Sequence, residues 1–275
     1  MKIGPHIIGE GRCWIVAECG INHAGSLDTA LKLIDAAALA GADAVKFQTF
    51  RAEELGCSPE IAACELPPEA WPVLALHAAA KGVTFFSTPF DCESADLLDP
   101  LVPCFKIASG EITNGRLLRH VGKKGKPVIL STGMADEAEI IRAIGFLDVG
   151  DNLALLHCVS AYPAPPEQMN LRAIETLPHL IDPCPVGLSD HTYGITIPIA
   201  AVAMGADIIE KHLTLNPWSA GPDQHMSTTR QTFADMVKAI RLVEAAMGDG
   251  AIGCQPCEEP MRATARRDPL TGRRP

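Results

Sequence analysis

Short apolar runs alternate with longer amphipathic stretches along almost the whole chain. The runs lie at 13–17, 44–47, 83–86, 104–107, 128–130, 153–156, 186–188 and 208–209. Each is bounded by Gly, Pro or Asp and is too short for a helix that must bury itself, which predicts strands. Between them, apolar positions recur at helical spacing. Over 27–40, Leu31, Leu33, Ile34, Ala37 and Ala38 share one broad face, and Gly41 follows as a terminating residue. Further helices are predicted over 69–81, 91–98, 116–123, 136–146, 170–177, 196–204 and 229–247.

Strict alternation of strand and helix through eight units predicts an α/β fold of the (β/α)₈ TIM-barrel type. An open doubly wound sheet fits less well. Its first strand–helix turn often carries GxGxxG, and the turn here reads Glu18-Cys19-Gly20-Ile21-Asn22-His23-Ala24-Gly25. Residues 1–12 precede the first strand and are expected to form a hairpin that plugs the barrel bottom. The barrel is expected to fill 1–250. Residues 251–275 turn polar, Pro-rich and basic, and are expected to be a tail or a truncated linker.

Composition narrows the function. A chain of 275 residues with 47% apolar content can bury one large core as a single domain. Its 33 acidic against 23 basic residues give a net charge of −10, which argues against a nucleic-acid partner. A small anionic substrate remains compatible, because a few focused lysines reverse the local sign. No apolar run approaches the roughly 20 residues that span a bilayer, and the first residues carry no apolar export segment. The ten cysteines are scattered through apolar elements, as reduced thiols of a cytoplasmic protein would be. Cys254 and Cys257 form a CxxC with no second pair beside it, so neither zinc nor redox chemistry is expected there.

In barrel enzymes the chemistry gathers at the C-terminal strand ends. Here those ends hold Glu18, then Lys46 with Gln48, then Ser87 with Thr88, then Lys106 with Ser109. The fifth and sixth hold Ser131 with Thr132, and His157 with Ser160; the last two read Ser189-Asp190-His191 and Glu210-Lys211-His212. Wet loops explain polar ends, but not two lysines and two histidines converging on one mouth, which predicts a catalytic pocket.

His191 and His212 end adjacent strands, about 4.8 Å apart, so their imidazoles can meet one ion. Two nitrogens leave coordination positions free for water and substrate, which suits Lewis-acid catalysis better than a structural zinc. Two separately hydrogen-bonded histidines are the plain alternative. A buried Lys46 or Lys106 without an anion loses its proton or is costly. A ligand bearing phosphate and carboxylate keeps both charged, with Ser109, Ser131, Thr132 and the free N–H groups of the following turns around it. A lysine that reaches back to water is the alternative. Glu18 requires a lysine or metal partner. His23, His157 and His225 stay open between site and capping roles, and the 162–166 loop between pocket wall and surface brace.

The strings that carry these residues resemble the sialic acid synthase family across about residues 3–250. They are Ile15-Val16-Ala17-Glu18-Cys19-Gly20-Ile21-Asn22-His23, Val45-Lys46-Phe47-Gln48-Thr49-Phe50, Phe105-Lys106-Ile107-Ala108-Ser109-Gly110-Glu111 and Val128-Ile129-Leu130-Ser131-Thr132-Gly133-Met134. Ser189-Asp190-His191-Thr192, Glu210-Lys211-His212 and Gly221-Pro222-Asp223 complete the set in order. The family includes the N-acetylneuraminate, legionaminate and pseudaminate synthases and related spore-coat enzymes.

The resemblance implies that carbon 3 of phosphoenolpyruvate attacks the aldehyde of an N-acetylmannosamine-like aldose, giving a nonulosonic acid and phosphate. It assigns His191 and His212 to a divalent metal, Mn²⁺ first, with Mg²⁺ or Co²⁺ as alternatives. It assigns Lys46, Thr88, Lys106, Ser109, Ser131 and Ser189 to phosphoenolpyruvate, with Gln48 beside it. Glu18 would activate water or the aldehyde hydroxyl, and Tyr162 and Asp223 would contact the sugar. Relatives are homodimers in which a C-terminal antifreeze-like domain lids the partner's site and donates an arginine. Here Arg262, Arg266 or Arg267, or a separate chain, would take that part.

Two rivals remain. A class I aldolase would use Lys46 or Lys106 as a Schiff base without metal. A non-catalytic scaffold barrel would need a partner lid, and its site residues should be degraded; here every motif residue is present.

Overall fold

The computed structural model describes residues 1–181 and 184–274; Pro275, the last residue of the expected tail, lies outside them. Eight parallel strands form the expected barrel: β1 (Trp14–Gly20), β2 (Ala44–Thr49), β3 (Thr84–Pro89), β4 (Phe105–Ile107), β5 (Val128–Ser131), β6 (Leu153–Cys158), β7 (Val186–Asp190) and β8 (Ile208–Thr214). The ladder runs without interruption from β3 through β2 and β1 to β8, and onward to β4. β3 and β4 face each other across the remaining seam.

Several strands continue past the apolar runs that announced them. β8 carries Glu210, Lys211 and His212 through seven buried positions. Hydropathy ends a strand at its first charge, but ladder hydrogen bonds join backbone groups whatever the side chain. The polar strand ends are therefore part of the barrel wall.

Eight helices alternate with the strands: α1 (Leu27–Leu39), α2 (Ala70–Ala80), α3 (Cys92–Leu98), α4 (Gly115–Gly122), α5 (Glu137–Leu147), α6 (Ala173–Thr176), α7 (Thr196–Ala203) and α8 (Arg230–Met247). Local chemistry explains their ends. The Ser26 hydroxyl accepts from the Thr29 N–H at the start of α1, and Gly41 just beyond it takes φ +84°. Asp136 and Glu139 form a reciprocal capping box on α5.

The expected helix over 170–177 shrinks to the single turn of α6, followed by a 3₁₀ turn over Leu177–Leu180. Pro178 explains this: it has no N–H to give and disfavours α geometry in the residue before it. Two one-turn helices, Ala52–Leu55 and Pro59–Ala62, occupy the long connection after β2 and were not expected. Ser58 caps the second, with Pro59 at its first position, a signal that was readable in the residues.

The floor of the barrel is apolar. Trp14 and Phe86 point inward and stack at 5.5 Å between ring centroids. Lys2–Ile3 pairs antiparallel with His6–Ile7, and Ile3 and Ile8 are buried in the same core as the strands. The His6 ring lies 5.9 Å from Trp14, so the hairpin packs against this end of the barrel.

The chain divides into two compact units, Met1–Glu244 and the segment from Ala245 onward. The second contains a 3₁₀ turn at Pro256–Glu258 and the helix Glu259–Ala265, with Cys254 and Cys257 exposed. All ten cysteines are free thiols. Among the described residues no helix is long and apolar enough to cross a membrane.

Candidate active site

Alternation along each strand sorts the polar ends into an inward and an outward set. Glu18, Lys46, Gln48, Thr88 and Lys106 line one cavity from β1 to β4. Ser131, Ser189 and His212 enter it from β5, β7 and β8, and Ser109, Tyr162 and His191 from the turns after β4, β6 and β7. Asp223 stands beside it, with its Oδ2 3.8 Å from His212 Nδ1. The predicted set therefore converges. Its free volume is about 50 Å³, which holds one or two waters.

The open histidines resolve differently. His157 donates from Nε2 to the Met169 carbonyl at 2.6 Å, a bracing role. His23 Nδ1 accepts from the Gly25 N–H, and burial lowers its pKa to about 4. His225 is exposed on a 3₁₀ turn. Thr132 donates its hydroxyl to the Leu156 carbonyl and is likewise structural.

Besides Phe90 and Ala108, two polar or ionisable side chains on the cavity wall were not among the predicted site residues. Cys158 ends β6 pointing inward, and Glu210 occupies β8 two residues before His212, on the same face. The strand-end string named Glu210 together with Lys211. Parity separates them, Glu210 inward and Lys211 outward, and that signal was available in the residues.

Glu210 completes the charge pattern. Lys46 Nζ lies 2.7 Å from Glu18 and 3.6 Å from Glu210, and donates to Thr88 Oγ1 at 3.1 Å. Lys106 Nζ is 3.7 Å from Glu210, whose carboxylate also accepts from the Ser189 hydroxyl at 2.9 Å. The lysines are therefore balanced by the protein's own carboxylates. All four groups are at least 95% buried, where an unpaired charge would be untenable.

The two carboxylates differ in acidity. Burial raises the pKa of Glu18 to about 7 despite Lys46, and the nearby Glu210 charge pushes the same way. Glu210 suffers the same burial, yet Lys106 and Lys46 together hold it below the ordinary value. A pair split in this way supplies one proton-exchanging carboxyl and one permanent counter-charge. Once Glu18 is protonated, two ammonium groups face one carboxylate, and the cavity favours an anion. Ser131 Oγ is buried there without a hydrogen-bond partner.

His191 and His212 are the side chains that could hold a divalent ion. The imidazole centroids are 5.4 Å apart at 59°. His191 donates from Nδ1 to the Val159 carbonyl at 2.9 Å, which leaves Nε2 with its lone pair, the arrangement metal-ligating histidines use. His212 Nδ1 is buried with no hydrogen-bond partner. Burial above all, with the positive field of the nearby lysines adding to it, drives the His212 pKa far down. Burial alone would lower His191 too, but the Cys158 sulfur 3.9 Å from Nδ1 and the Val159 carbonyl raise it overall. Among the described residues no three His, Cys, Asp or Glu side chains gather into a closed metal cage. Such an ion would keep most of its coordination sphere for water and substrate. The Tyr162 ring covers His191 at 4.2 Å and meets His212 edge-on at 6.1 Å.

Known proteins share this chain's sequence and fold. It is 43% identical over 260 residues to the N,N'-diacetyllegionaminic acid synthase of Campylobacter jejuni, covering 86% of this chain and 78% of that one. It is 34% identical over 278 residues to the human N-acetylneuraminate-9-phosphate synthase, covering 93% and 77%. The structure of N-acetylneuraminic acid synthetase from Leptospira borgpetersenii serovar Hardjo-bovis, in complex with citrate, superposes with a TM-score of 0.88 at 36% identity and 98% coverage of both chains. The NeuB family model matches residues 33–252, and with these relatives beside it the chain belongs to the NeuB family.

Proposed function

We propose that the chain condenses phosphoenolpyruvate with an open-chain aldose of the N-acetylhexosamine type, giving a nonulosonic acid and phosphate. The observation that carries this reading is the buried set Lys46, Lys106, Glu18 and Glu210 beside the imidazoles of His191 and His212. The relatives named above, synthases of legionaminic and neuraminic acids, support the same reaction class.

The residues divide the work. Lys46 and Lys106 hold the phosphate and carboxylate of phosphoenolpyruvate, with the hydroxyls of Thr88, Ser109, Ser131 and Ser189 as further donors and Gln48 beside them. Carbon 3 forms the new bond to the aldehyde carbon, whose oxygen gains a proton. Water adds at carbon 2 and loses a proton, and breaking the carbon 2–oxygen bond expels phosphate. Glu18, titrating at about 7, is suited to carry that proton. Glu210 keeps the two ammonium groups charged throughout. Tyr162 and Asp223 contact the sugar. His191 and His212 would hold a divalent ion, Mn²⁺ first with Mg²⁺ or Co²⁺ as alternatives, which supplies Lewis acidity toward the aldehyde oxygen when bound.

Phosphate release from phosphoenolpyruvate, with Mn²⁺ and a panel of aldoses, tests the reading. Release that needs both the metal and one aldehyde is the expected result. Release without any aldehyde, or condensation undiminished by EDTA, would overturn it.

One observation favours a second reading. Burial lowers the pKa of Lys106 despite Glu210, and a Schiff-base amine needs such a shift. Borohydride trapping of substrate on Lys106 separates the two.

The same proposal extends to assembly and compartment. Tyr162, Tyr193 and Trp218, on three turns after barrel strands, are 48%, 63% and 91% exposed. Such aromatics suit a lid supplied by a second copy in a homodimer or by a separate chain. Sedimentation velocity reads the dimer directly. Ten unpaired thiols support a reducing, cytoplasmic setting.

A further inference from the structure

Behind the two histidines, on the outward face of the same strands, lies a fully buried polar group outside the cavity lining. Asp190 and Lys211 are paired in the β7–β8 register and are both fully buried. Lys211 Nζ lies 2.6 Å from Asp190 Oδ2 and also donates to the Thr192 carbonyl. Asp190 accepts in return from the Thr192 N–H and hydroxyl, each at 3.1 Å. The chain is therefore held immediately before and after His191, and at the residue next to His212. The main chain of both histidines is tied elsewhere as well. Ala164 N–H donates to the His191 carbonyl at 3.0 Å, and the Thr228 hydroxyl to the His212 carbonyl at 2.7 Å.

Strength alone does not account for this group. A fully buried ion pair recovers little beyond the cost of stripping its water, and two well-packed apolar side chains commonly hold such a site as firmly. Apolar groups could not give Thr192 its directional bonds. Those bonds fix the turn that carries the His191 ring, while the same ammonium fixes the strand that carries His212.

We propose that Asp190, Lys211 and Thr192 form a positioning clamp that sets the mutual placement of the His191 and His212 imidazoles, and through it the affinity for a divalent ion. Its second half rests on the metal reading above; its first half does not.

The test compares the full chain with the Asp190→Val/Lys211→Met double variant, which removes both charges together so that neither is left stranded. Three quantities are read: thermal midpoint, the ¹⁵N imidazole resonances of His191 and His212 in metal-free protein, and the Mn²⁺ dissociation constant from electron paramagnetic resonance. The expected result is a folded variant whose two imidazole signals shift or broaden and whose Mn²⁺ binding weakens about 10- to 100-fold, as loss of outer supports does at other sites. Thr192→Val, which removes only the hydroxyl, is expected to shift the same resonances and weaken Mn²⁺ about 2- to 10-fold. It carries the test if the double variant does not fold. A lower thermal midpoint with unchanged imidazole signals and unchanged Mn²⁺ affinity would mean a purely structural pair and overturn the proposal. If the unaltered chain binds no Mn²⁺, the metal reading falls by itself, and the imidazole resonances alone decide whether the clamp positions the histidines.

Discussion

The barrel's two ends are made from the same strands and obey opposite rules. At the floor, β1 and β3 turn Trp14 and Phe86 inward, and the N-terminal hairpin covers them with Ile3 and Ile8. A few residues further along, the same strands turn Glu18 and Thr88 inward, beside Lys46. The floor gains from every apolar atom removed from water, at roughly 25 cal/mol per Å². The mouth gives up part of that gain to hold four ionisable groups out of water. A packing optimum would not place Glu18, Glu210, Lys46 and Lys106 together at this depth, so the difference between the ends locates function without reference to relatives.

Substitutions can break or sharpen that contrast. The largest effect is expected from Glu18→Gln, which should lower turnover about 100- to 10,000-fold, the range for a lost proton carrier. The same variant tests the acidity. With the Glu18 pKa raised from 4.5 to about 7, its contribution to stability is fully present below 4.5 and is lost as pH rises through about 7. Stability of the unaltered chain should therefore fall relative to Glu18→Gln across that window. An infrared carboxyl band that disappears near pH 7, and is missing from the variant, would confirm the assignment. A band lost by pH 5 would refute it.

At the floor, Trp14→Ala should cost about 3–5 kcal/mol in denaturant unfolding. Mn²⁺ affinity of the folded fraction should be unchanged, and a change would show that the ends are coupled. Gly133→Ala comes next. Its added Cβ would run into Ser160 Oγ and would lie 2.8 Å from Ser109 Oγ, the hydroxyl that now accepts from the Gly133 N–H. Overpacking of this kind costs about 1–3 kcal/mol, and KM for phosphoenolpyruvate should rise while KM for the aldose does not. The smallest effect is expected from Asp136→Ala, which removes the α5 capping box without touching a residue that lines the cavity. It should cost about 1 kcal/mol in stability and leave kcat unchanged.

Much of this was legible in the residues, for reasons that particular positions make clear. The eight strands were readable because barrel strands are apolar on both faces until near their ends. Lys46, Lys106, His191 and His212 were readable because charge at such an end has few structural excuses. Glu210 was missed because the string Glu210-Lys211-His212 was read as a unit rather than by alternating faces. Which lysine pairs with Glu18 was also out of reach, although the residues did say that Glu18 needs a lysine or a metal. The resting cavity satisfies Lys46 with Glu18, a contact set by the β1–β2 register, which hydropathy does not encode. The shortened α6 depended on Pro178, a local signal that periodicity outweighed.

The hairpin beneath Trp14 has a consequence for traffic. A barrel stopped at one end is a dead-end street, so both reactants arrive and both products depart through a single opening. Lys106 and Ser189 lie further down that street than Tyr162 and Asp223. On the reading proposed above, phosphoenolpyruvate held by Lys106 and Ser189 would be parked before the sugar draws in behind it. That order of arrival would follow from the closed floor, at the opposite end of the barrel from the candidate site.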